Sequence, residues 1–379
     1  MRSSRRSDVD PFIVMDVMEA ARQAEAQGRR IIHMEVGQPG TPAPKAARDA
    51  LAAALQTDAL GYTVALGLPA LRARIAKLYA DWYGLDLNPD RIIVTPGASG
   101  AFILAFTALF EAGDRVGLGL PGYPSYRHIL TALSLQAVGL PAAPENRLQP
   151  VPMDVPSDLQ GLILASPANP SGTMLDRTAL SGLVERAEQT GAALSSDEIY
   201  HGLHYDSRAI SAVEVTDDVV VVNSFSKYFS MTGWRIGWMV VPESQIRTYE
   251  RLAQNLFICP PHASQVAALA ALDATEECEA NRAVYAANRQ LMLDGLPKAG
   301  ITNFAPPDGA FYIYADVSDL TDDSRAFARQ ILDQADVAVT PGLDFDPARG
   351  GATLRFSYAR STEDIAEGRD RLTAFMAKR

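Results

Sequence analysis

Several residues capable of acid–base, covalent or stacking chemistry follow short apolar runs in the middle of the chain. They are Tyr123, Asn169, Asp197, Tyr200 and Lys227. A lysine amine that is partly removed from water has a lowered pKa and can attack a carbonyl carbon. A carboxylate can keep a heteroaromatic nitrogen protonated, an amide or a phenol can donate a hydrogen bond to a ring oxygen, and a tyrosine ring can stack on an aromatic face. The set is suited to holding an aromatic aldehyde.

A glycine-containing turn, a serine and an arginine supply what a phosphate group needs. Gly97, Ala98 and Ser99 stand where a helix is predicted to begin, and the free N–H groups at a helix N-terminus bind anions. Ser224 and Arg235 can complete this cradle, the arginine through two parallel hydrogen bonds from its guanidinium group. Together with the residues above, the pattern predicts a site for a pyridine aldehyde that carries a phosphate.

The elements that must position these residues alternate between short strands and longer helices. Apolar runs bounded by Gly, Pro, Asp or Ser predict strands at residues 92–94, 116–118, 162–164, 192–194 and 219–222. Helical patterns such as 101–110 and 178–188 lie between them, and the apolar run at 235–241 predicts a further strand. This alternation predicts the α/β class, with a mostly parallel sheet sandwiched by helices. In such a sheet ligands bind at the carboxyl ends of the strands, so the residues above should meet in one crevice.

The last part of the chain has a different character. Residues 281–379 combine charged helical stretches with two strand-like pieces at 311–315 and 353–358, which predicts a smaller α+β domain. Arg355 lies inside the second of these pieces. An arginine in an apolar strand is costly unless it faces a site or a partner, so Arg355 is a candidate clamp for a substrate carboxylate.

The first 45 residues are predicted to pack against the small domain. They contain a helical pattern near 16–27 and a strand-like run near 31–36, without a β-α-β continuation of their own. Residues 46–280 then form the large domain. A stretch rich in Pro and Ala at 140–156 predicts a surface connection within it.

Composition excludes several classes of function. The chain of 379 residues carries 34 Lys and Arg against 45 Asp and Glu, a net charge of −11, and so acidic a surface repels nucleic acid and anionic lipid. Its longest apolar runs are far shorter than the ~18 residues that span a bilayer, and no apolar segment follows the basic N-terminus as in a secretory signal. Two cysteines argue against a disulfide framework. We therefore expect a soluble cytoplasmic protein without nucleic-acid or membrane partners.

The motifs occur in the order typical of the class I and II, fold-type-I aminotransferases that depend on pyridoxal phosphate, and the chain resembles this family over nearly its whole length. The most specific match is Ser224-Phe-Ser-Lys227 with Arg235 eight residues after the lysine. The other matching segments are Val36-Gly37-Gln-Pro39, Gly61-Tyr62-Thr63, Gly67-Leu-Pro-Ala-Leu-Arg72, Thr95-Pro-Gly97, Pro121-Gly-Tyr123-Pro, Asn169-Pro-Ser-Gly172, Asp197-Glu-Ile-Tyr200, Gly309-Ala-Phe-Tyr312 and Leu354-Arg355. The resemblance implies the family fold and pyridoxal 5'-phosphate as cofactor.

The resemblance also implies roles for individual residues. Lys227 would bind the cofactor aldehyde covalently and then move the proton at the substrate Cα, while Asp197 and Tyr200 would tune the cofactor ring. Arg355 would bind the substrate α-carboxylate, assisted by Asn169 and the backbone at Gly37. Tyr62 would reach the phosphate of a neighbouring subunit, which implies a homodimer with shared active sites.

The chain differs from the family's aspartate-using members at one position, and this difference bears on which amino acid is the donor. Many of these carry a lysine, which pairs with the distal carboxylate, where this chain has Ser99. The segment at 255–261 is more apolar than its family counterpart, and Phe12 and Ile13 fall where an N-terminal lid would cover the side-chain pocket. We therefore expect a neutral or aromatic L-amino acid as donor and a 2-oxoacid such as 2-oxoglutarate as acceptor.

Alternatives within the fold remain open from the sequence. An aspartate-type aminotransferase would share every motif except the missing lysine. A carbon–sulfur lyase or a decarboxylase uses the same lysine and aspartate, because the bond that breaks is the one held perpendicular to the cofactor ring. Retention of Arg355, which anchors the α-carboxylate, favours transamination.

Alternatives outside the fold lack their partner residues. Residues 224–227 fit the S-x-x-K pattern of serine acyl-transferring enzymes, but no Ser-Asp-Asn and no Lys-Thr-Gly occurs. Residues 117–122 fit G-x-G-x-x-G, but Pro121 obstructs the turn into a helix. His201 and His204 have no third ligand at metal-site spacing, so no metal is expected. A transcription regulator with an aminotransferase-like domain would need a DNA-binding module, and the motifs already begin at Gly37.

Overall fold

The structure is a computed structural model that describes residues 2–379. Within these residues the chain forms thirteen strands and eleven α-helices. The strands are β1 Ile32–His33, β2 Ile92–Thr95, β3 Arg115–Leu120, β4 Gln136–Pro141, β5 Gly161–Ala165, β6 Ala193–Asp197, β7 Val220–Ser224, β8 Gly237–Val240, β9 Asn303–Phe304, β10 Tyr312–Asp316, β11 Val337–Ala338, β12 Thr340–Pro341 and β13 Thr353–Ser357. The helices are α1 Ile13–Ala26, α2 Lys45–Thr57, α3 Pro69–Tyr83, α4 Gly97–Leu109, α5 Pro124–Ala132, α6 Arg177–Thr190, α7 Ile246–Leu256, α8 His262–Ala271, α9 Thr275–Gly295, α10 Ser324–Ala335 and α11 Thr362–Met376.

The largest sheet has seven strands in the order β2-β8-β7-β6-β5-β3-β4. All neighbours run parallel except β8, which is antiparallel to both β2 and β7. Every residue of β2, β7 and β8 is buried, as expected when helices cover both faces of a sheet. The predicted α/β class with a mostly parallel sheet is therefore confirmed.

Successive residues of the central strands belong to two different hydrophobic clusters. Val221 packs in one cluster, whereas Val220 and Val222 pack in the other. The same alternation separates Leu164 from Ile163 in β5. Because side chains of a strand alternate between the faces of its sheet, the two clusters are the cores above and below the large sheet. The continuous apolar runs of the sequence reflect this burial on both faces.

The register of the large sheet places the carboxyl ends of its strands side by side. Asp197, at the end of β6, pairs with Ala165 at the end of β5 and with Val222 in β7. Ser224, the last residue of β7, pairs with Gly237 at the start of β8. Side chains that follow these strands are therefore delivered to one edge of the sheet.

A smaller antiparallel sheet is built from the C-terminal part of the chain. Its order is β12-β13-β10-β9, and Arg355 of β13 pairs with Tyr314 of β10 and with Thr340 of β12. The N-terminal segment joins this region, because Ile32 of β1 pairs with Val337 of β11 and α1 packs against β12. The domain boundaries after residues 45 and 280 remain a prediction.

Several element boundaries differ from those expected from the sequence. Strand β4 was not predicted, and the expected surface connection at 140–156 begins inside it. This strand lies at the sheet edge and is mostly exposed, so it lacks the apolar run that marks a buried strand. The strand expected at 31–36 has only two residues, and the one expected at 235–241 begins at Gly237. No helix within residues 2–379 is long and apolar enough to cross a membrane.

Candidate active site

A cavity of about 250 Å³ opens where the carboxyl ends of β5, β6 and β7 meet the small sheet and helix α1. The predicted residues that line it are Gly37, Ala98, Ser99, Tyr123, Asn169, Asp197, Tyr200, Lys227, Arg235 and Arg355. Gly97, Ser224 and Tyr62 are not part of its wall. The structure thus brings ten of the thirteen sequence-predicted residues to one cavity.

Lys227 follows β7 by three residues and its amine is buried in the cavity wall. Its Nζ donates a hydrogen bond to the Gly37 carbonyl oxygen at 2.5 Å. Burial disfavours the charged ammonium form and the positive charge of Arg355 acts in the same direction, so the pKa of Lys227 falls to about 7. A large share of this amine is therefore neutral at physiological pH, as a nucleophile or a proton acceptor requires.

Asp197 ends β6 and its carboxylate is fixed by two donors. The Tyr126 hydroxyl donates to Oδ2, and the Ile199 N–H donates to Oδ1 at 3.1 Å. Burial raises the pKa of Asp197 to about 6, while both hydrogen bonds and the charge of Lys227 act to lower it. The carboxylate form consequently prevails at neutral pH, and it can pair with a protonated ring nitrogen.

Tyr126 is a site residue that the sequence analysis missed. It lies in the first turn of α5, three residues after Tyr123, which is the N-cap residue of that helix. Their ring centroids are 5.3 Å apart in an edge-to-face arrangement. This spacing was the one sequence signal that could have linked Tyr126 to the site once Tyr123 had been assigned.

The start of α4 and the Arg235 guanidinium form a cradle for an anion. Gly97 has a φ of +75°, and a Cβ added there would lie 2.4 Å from Arg235 Nη2, so a larger residue would displace the arginine. A Cβ at Gly237 would lie 3.2 Å from the Ala98 nitrogen. Arg235 itself has a φ of +51°, a left-handed conformation that is uncommon for non-glycine residues and has an energetic cost.

Two predicted phosphate ligands lie elsewhere than in the cavity wall. The Ser224 hydroxyl lies 2.8 Å from Ser226 Oγ and 3.1 Å from the Ile236 carbonyl oxygen, so it braces the turn, and Ser226 lines the cavity in its place. The Tyr62 side chain is 83% exposed and outside the cavity. Within one chain, the α4 N-terminus, Ser226 and Arg235 line this part of the cavity, and the roles of Ser224 and Tyr62 at the phosphate remain predictions.

Arg355 lines the cavity and is held there by hydrogen bonds and by two aromatic rings. Its Nη1 donates to Asn169 Oδ1 at 2.9 Å, and its Nη2 donates to the Glu35 carbonyl oxygen. The rings of Tyr312 and Phe345 lie 4.5 and 4.6 Å from its guanidinium carbon. Its buried Nε has no partner within residues 2–379. A planar, fixed guanidinium with an unused donor is suited to a carboxylate.

Sequence reasoning found Arg355 but missed the residues that hold it. Phe345 lies in an irregular segment between β12 and β13, where no periodicity marks a functional side chain. Glu35 acts through its main-chain oxygen, which a sequence does not reveal. Tyr200 also reaches this region, because its hydroxyl lies 2.8 Å from that of Tyr312.

An apolar part of the cavity wall comes mainly from α1. Phe12, Val14, Met15 and Met18 line it together with Ile129 of α5. Ile13 does not line the cavity, and neither does the segment at 255–261, on which the expectation of a neutral donor partly rested. Phe12 thus lies where the sequence predicted it, whereas the rest of this apolar wall comes from α1 and α5 and not from residues 255–261.

The two histidines considered as metal ligands lie outside the cavity wall. His201 is buried, with Nδ1 2.6 Å from the Tyr83 hydroxyl and Nε2 2.9 Å from the Ser166 carbonyl oxygen. Burial lowers the pKa of His201 to about 3, so the ring is neutral and joins neighbouring segments. Among residues 2–379 no group of three metal-ligating side chains is found.

The side chains of the cavity fit pyridoxal phosphate at each of its reactive groups. Lys227 suits the aldehyde, Asp197 suits the ring nitrogen, and the cradle at Gly97 and Arg235 suits the phosphate. The unpartnered Nε of Arg355 leaves a donor for a carboxylate beside them. This donor set leaves no charged cavity residue without a matching group.

Comparisons with known proteins agree with the geometry. The family model described as "Aminotransferase class I and II" matches residues 29–372. The chain is 45% identical over 382 residues to valine–pyruvate aminotransferase of Mycobacterium tuberculosis, covering 99% of this chain and 98% of that protein. A solved structure from Silicibacter pomeroyi is 67% identical with a TM-score of 0.96 and covers 100% of both chains. Aspartate aminotransferase of Thermus thermophilus with maleate is 30% identical with a TM-score of 0.92, covering 99% of this chain and 100% of that chain.

The lowered pKa of Lys227 predicts how pH controls cofactor attachment. Only the neutral amine attacks an aldehyde, so attachment accelerates as pH rises and stops accelerating above the pKa of the lysine. We expect the rate to level off at a pH of about 7, whereas a lysine in water gains rate up to a pH of about 10.4. Stopped-flow absorbance after mixing cofactor-free protein with pyridoxal phosphate measures this profile.

Arg355→Gln provides the matched variant for this experiment. Removing the positive charge that lowers the pKa of Lys227 should move the profile to higher pH. Arg371→Gln is the control, because Arg371 hydrogen-bonds to Glu367 on α11 and does not line the cavity. A rate that still rises near pH 10 in the unaltered protein would contradict the assignment of Lys227.

Removing the Tyr126 hydroxyl should shift the acid side of the pH–activity profile. Because its hydrogen bond lowers the pKa of Asp197, Tyr126→Phe raises that pKa, and the carboxylate is then lost at a higher pH. We expect the acid limb of kcat/KM for amino-group transfer to move up by about one to two pH units. The control is Tyr249→Phe, since the Tyr249 hydroxyl is buried without a hydrogen-bond partner within residues 2–379. An unchanged acid limb in Tyr126→Phe would show that Tyr126 does not act on Asp197.

Proposed function

The chain belongs to the class I and II aminotransferases, which use pyridoxal phosphate, and we propose that its donor is a neutral amino acid and its acceptor a small monocarboxylic 2-oxoacid. One relative at 45% identity is named for valine and pyruvate, which supports an aliphatic donor. Donor and acceptor occupy the same cavity in turn, so the features that select one also select the other. Pyruvate therefore replaces 2-oxoglutarate, the acceptor expected from the sequence, as the favoured acceptor.

The observation that carries this proposal is the distribution of charge in the cavity wall. The cations that line the wall are Lys227, Arg235 and Arg355, and each already has a cofactor group or the α-carboxylate to bind. Beside them the wall consists of apolar side chains such as Phe12 and Met15 and of uncharged polar side chains such as Gln38, Ser125 and Thr232. A second carboxylate on the substrate would be buried there without a further cation to pair with, which is strongly unfavourable.

Different residues of the chain would then perform different tasks in amino transfer. Pyridoxal phosphate, when bound, supplies an aromatic system that accepts electron density from the substrate Cα. Lys227 takes the proton from Cα as a neutral amine and returns it, which its lowered pKa permits near neutral pH. Asp197 would keep its negative charge to pair with the ring nitrogen, and Arg355 would fix the α-carboxylate of every substrate alike. The N-terminus of α4 and Arg235 would hold the phosphate.

This proposal is tested by comparing the reaction rates of a panel of amino donors. We expect kcat/KM for valine to exceed that for aspartate by more than about tenfold, equivalent to about 1.4 kcal/mol of transition-state binding. Leucine and phenylalanine complete the panel, and pyruvate is compared with 2-oxoglutarate as acceptor. Conversion of the cofactor absorbance measures each half-reaction directly. Faster reaction with aspartate would establish the aspartate-type alternative.

Two variants make the donor panel sharper. Ser99→Lys places a cation on the cavity wall, so it should raise kcat/KM for aspartate by about tenfold while leaving valine no better. Lys227→Ala should abolish transamination with every donor, because no other amine from residues 2–379 lines the cavity. Amino transfer in Lys227→Ala would remove the lysine from the mechanism.

We also propose that two copies of the chain assemble into a dimer that shares residues between active sites. Tyr62 is 83% exposed and Val64 is 58% exposed, and Ile258 on a nearby segment is 53% exposed. His262 Nδ1 lies 2.9 Å from the Gly61 carbonyl oxygen, which joins the two segments. Large exposed apolar side chains can mark a surface that binds another protein. Because the cavity of one chain also lacks its predicted ligand Tyr62, these side chains support a dimer interface here. The family resemblance implies that Tyr62 binds the cofactor phosphate in the active site of the partner subunit.

Hybrid dimers test whether Tyr62 acts across the interface. Tyr62→Ala and Lys227→Ala subunits are coexpressed with different tags, and the hybrid is isolated. If Tyr62 serves the partner's site, the hybrid contains one site with both native residues and should show about half the activity of the native dimer. Each variant alone should be strongly impaired. A hybrid no more active than the parent variants, or a native protein that sediments as a monomer, would contradict the proposal.

A further inference from the structure

Helix α1, which forms the apolar wall of the cavity, lacks a cap of its own. Its N-cap residue is Phe12, whose side chain cannot accept a hydrogen bond. The first N–H groups of a helix have no partner within the helix. Here the carboxylate of Asp344 accepts the Ile13 N–H and the Val14 N–H, each at 3.1 Å. The start of α1 is therefore fixed by a residue more than 300 positions away in the chain.

Asp344 belongs to a segment that joins three walls of the cavity. The next residue, Phe345, stacks on the Arg355 guanidinium. The Asp344 carbonyl oxygen accepts a hydrogen bond at 2.7 Å from Arg127 Nη2 of α5, the helix that also carries Ile129 to the cavity wall. The Asp344 residue is buried, so its two carboxylate hydrogen bonds are shielded from competing water.

We propose that Asp344 is a specificity-determining positioning residue that holds the start of α1 over the side chain of the amino donor. The proposal rests on the proposed function, in which that side chain is neutral. Phe12 and Met15 stand at the capped turn and line the cavity, and the Phe12 ring contacts Tyr123 with centroids 6.0 Å apart. If the cap is lost, the first turn frays and these side chains no longer enclose a branched donor.

The α-carboxylate clamp does not depend on the cap in the same way. Arg355 lies in β13 and is held by Asn169, by the Glu35 carbonyl oxygen and by two aromatic rings. Every donor shares this anchor, whereas only donors with a large side chain reach α1. Loss of the cap should therefore affect valine far more than alanine, and it should affect KM more than kcat.

The experiment compares Asp344→Ala and Asp344→Asn in the holoenzyme with valine and alanine as donors. We expect Asp344→Ala to raise KM for valine about tenfold and KM for alanine less than about threefold, with little change in kcat. Asn keeps one acceptor oxygen, so Asp344→Asn should recover part of the loss. Asp323→Ala is the matched control, because Asp323 caps α10 through the Arg325 and Ala326 N–H groups and does not line the cavity.

Hydrogen exchange at the Ile13 and Val14 amides provides a readout that is independent of the donor. Exchange should accelerate by about tenfold in Asp344→Ala and remain unchanged in Asp323→Ala. Equal losses for valine and alanine, or unaltered exchange, would overturn the role of Asp344. A native enzyme that prefers aspartate would instead overturn the proposed donor, and the exchange rates would still decide whether Asp344 caps α1.

Discussion

Burial of Lys227 and Asp197 in one cavity is the constraint on which the rest of the site depends. Removal from water makes the charged form of each group costly, which lowers the pKa of the lysine to about 7 and raises that of the aspartate to about 6. Each group therefore needs fixed polar partners, which are the Gly37 carbonyl oxygen for Lys227 and the Tyr126 hydroxyl for Asp197. The same burial makes proton transfer at neutral pH feasible.

The cavity that buries these two groups is formed by three separate parts of the chain. The parallel sheet delivers Asp197 and Lys227 at neighbouring strand ends, the small sheet delivers Arg355, and the N-terminal segment adds Gly37 and the apolar wall of α1. The segment around Asp344 joins them, since it contacts α1 and α5 through Asp344 itself and Arg355 through Phe345. Substrate selection is thus a property of how these parts meet.

The sequence predicted the sheet and most of the cavity because both leave local signals. Runs such as 219–222 are apolar throughout since β7 is buried on both faces, and residues that follow such strands converge by the geometry of a parallel sheet. The edge strand β4 is mostly exposed and left no such signal. Tyr126 and Phe345 also escaped prediction, because their roles arise from tertiary contacts with Asp197 and Arg355.

We propose that one cavity binds the cofactor through Lys227, Asp197 and the cradle formed by Gly97 and Arg235. A crystal structure of the protein grown with pyridoxal phosphate tests this binding mode most directly. We expect continuous density from Lys227 Nζ to the cofactor, the ring nitrogen within hydrogen-bond distance of Asp197, and the phosphate against the N-terminus of α4. A cofactor bound elsewhere, or one whose ring nitrogen faces away from Asp197, would contradict it.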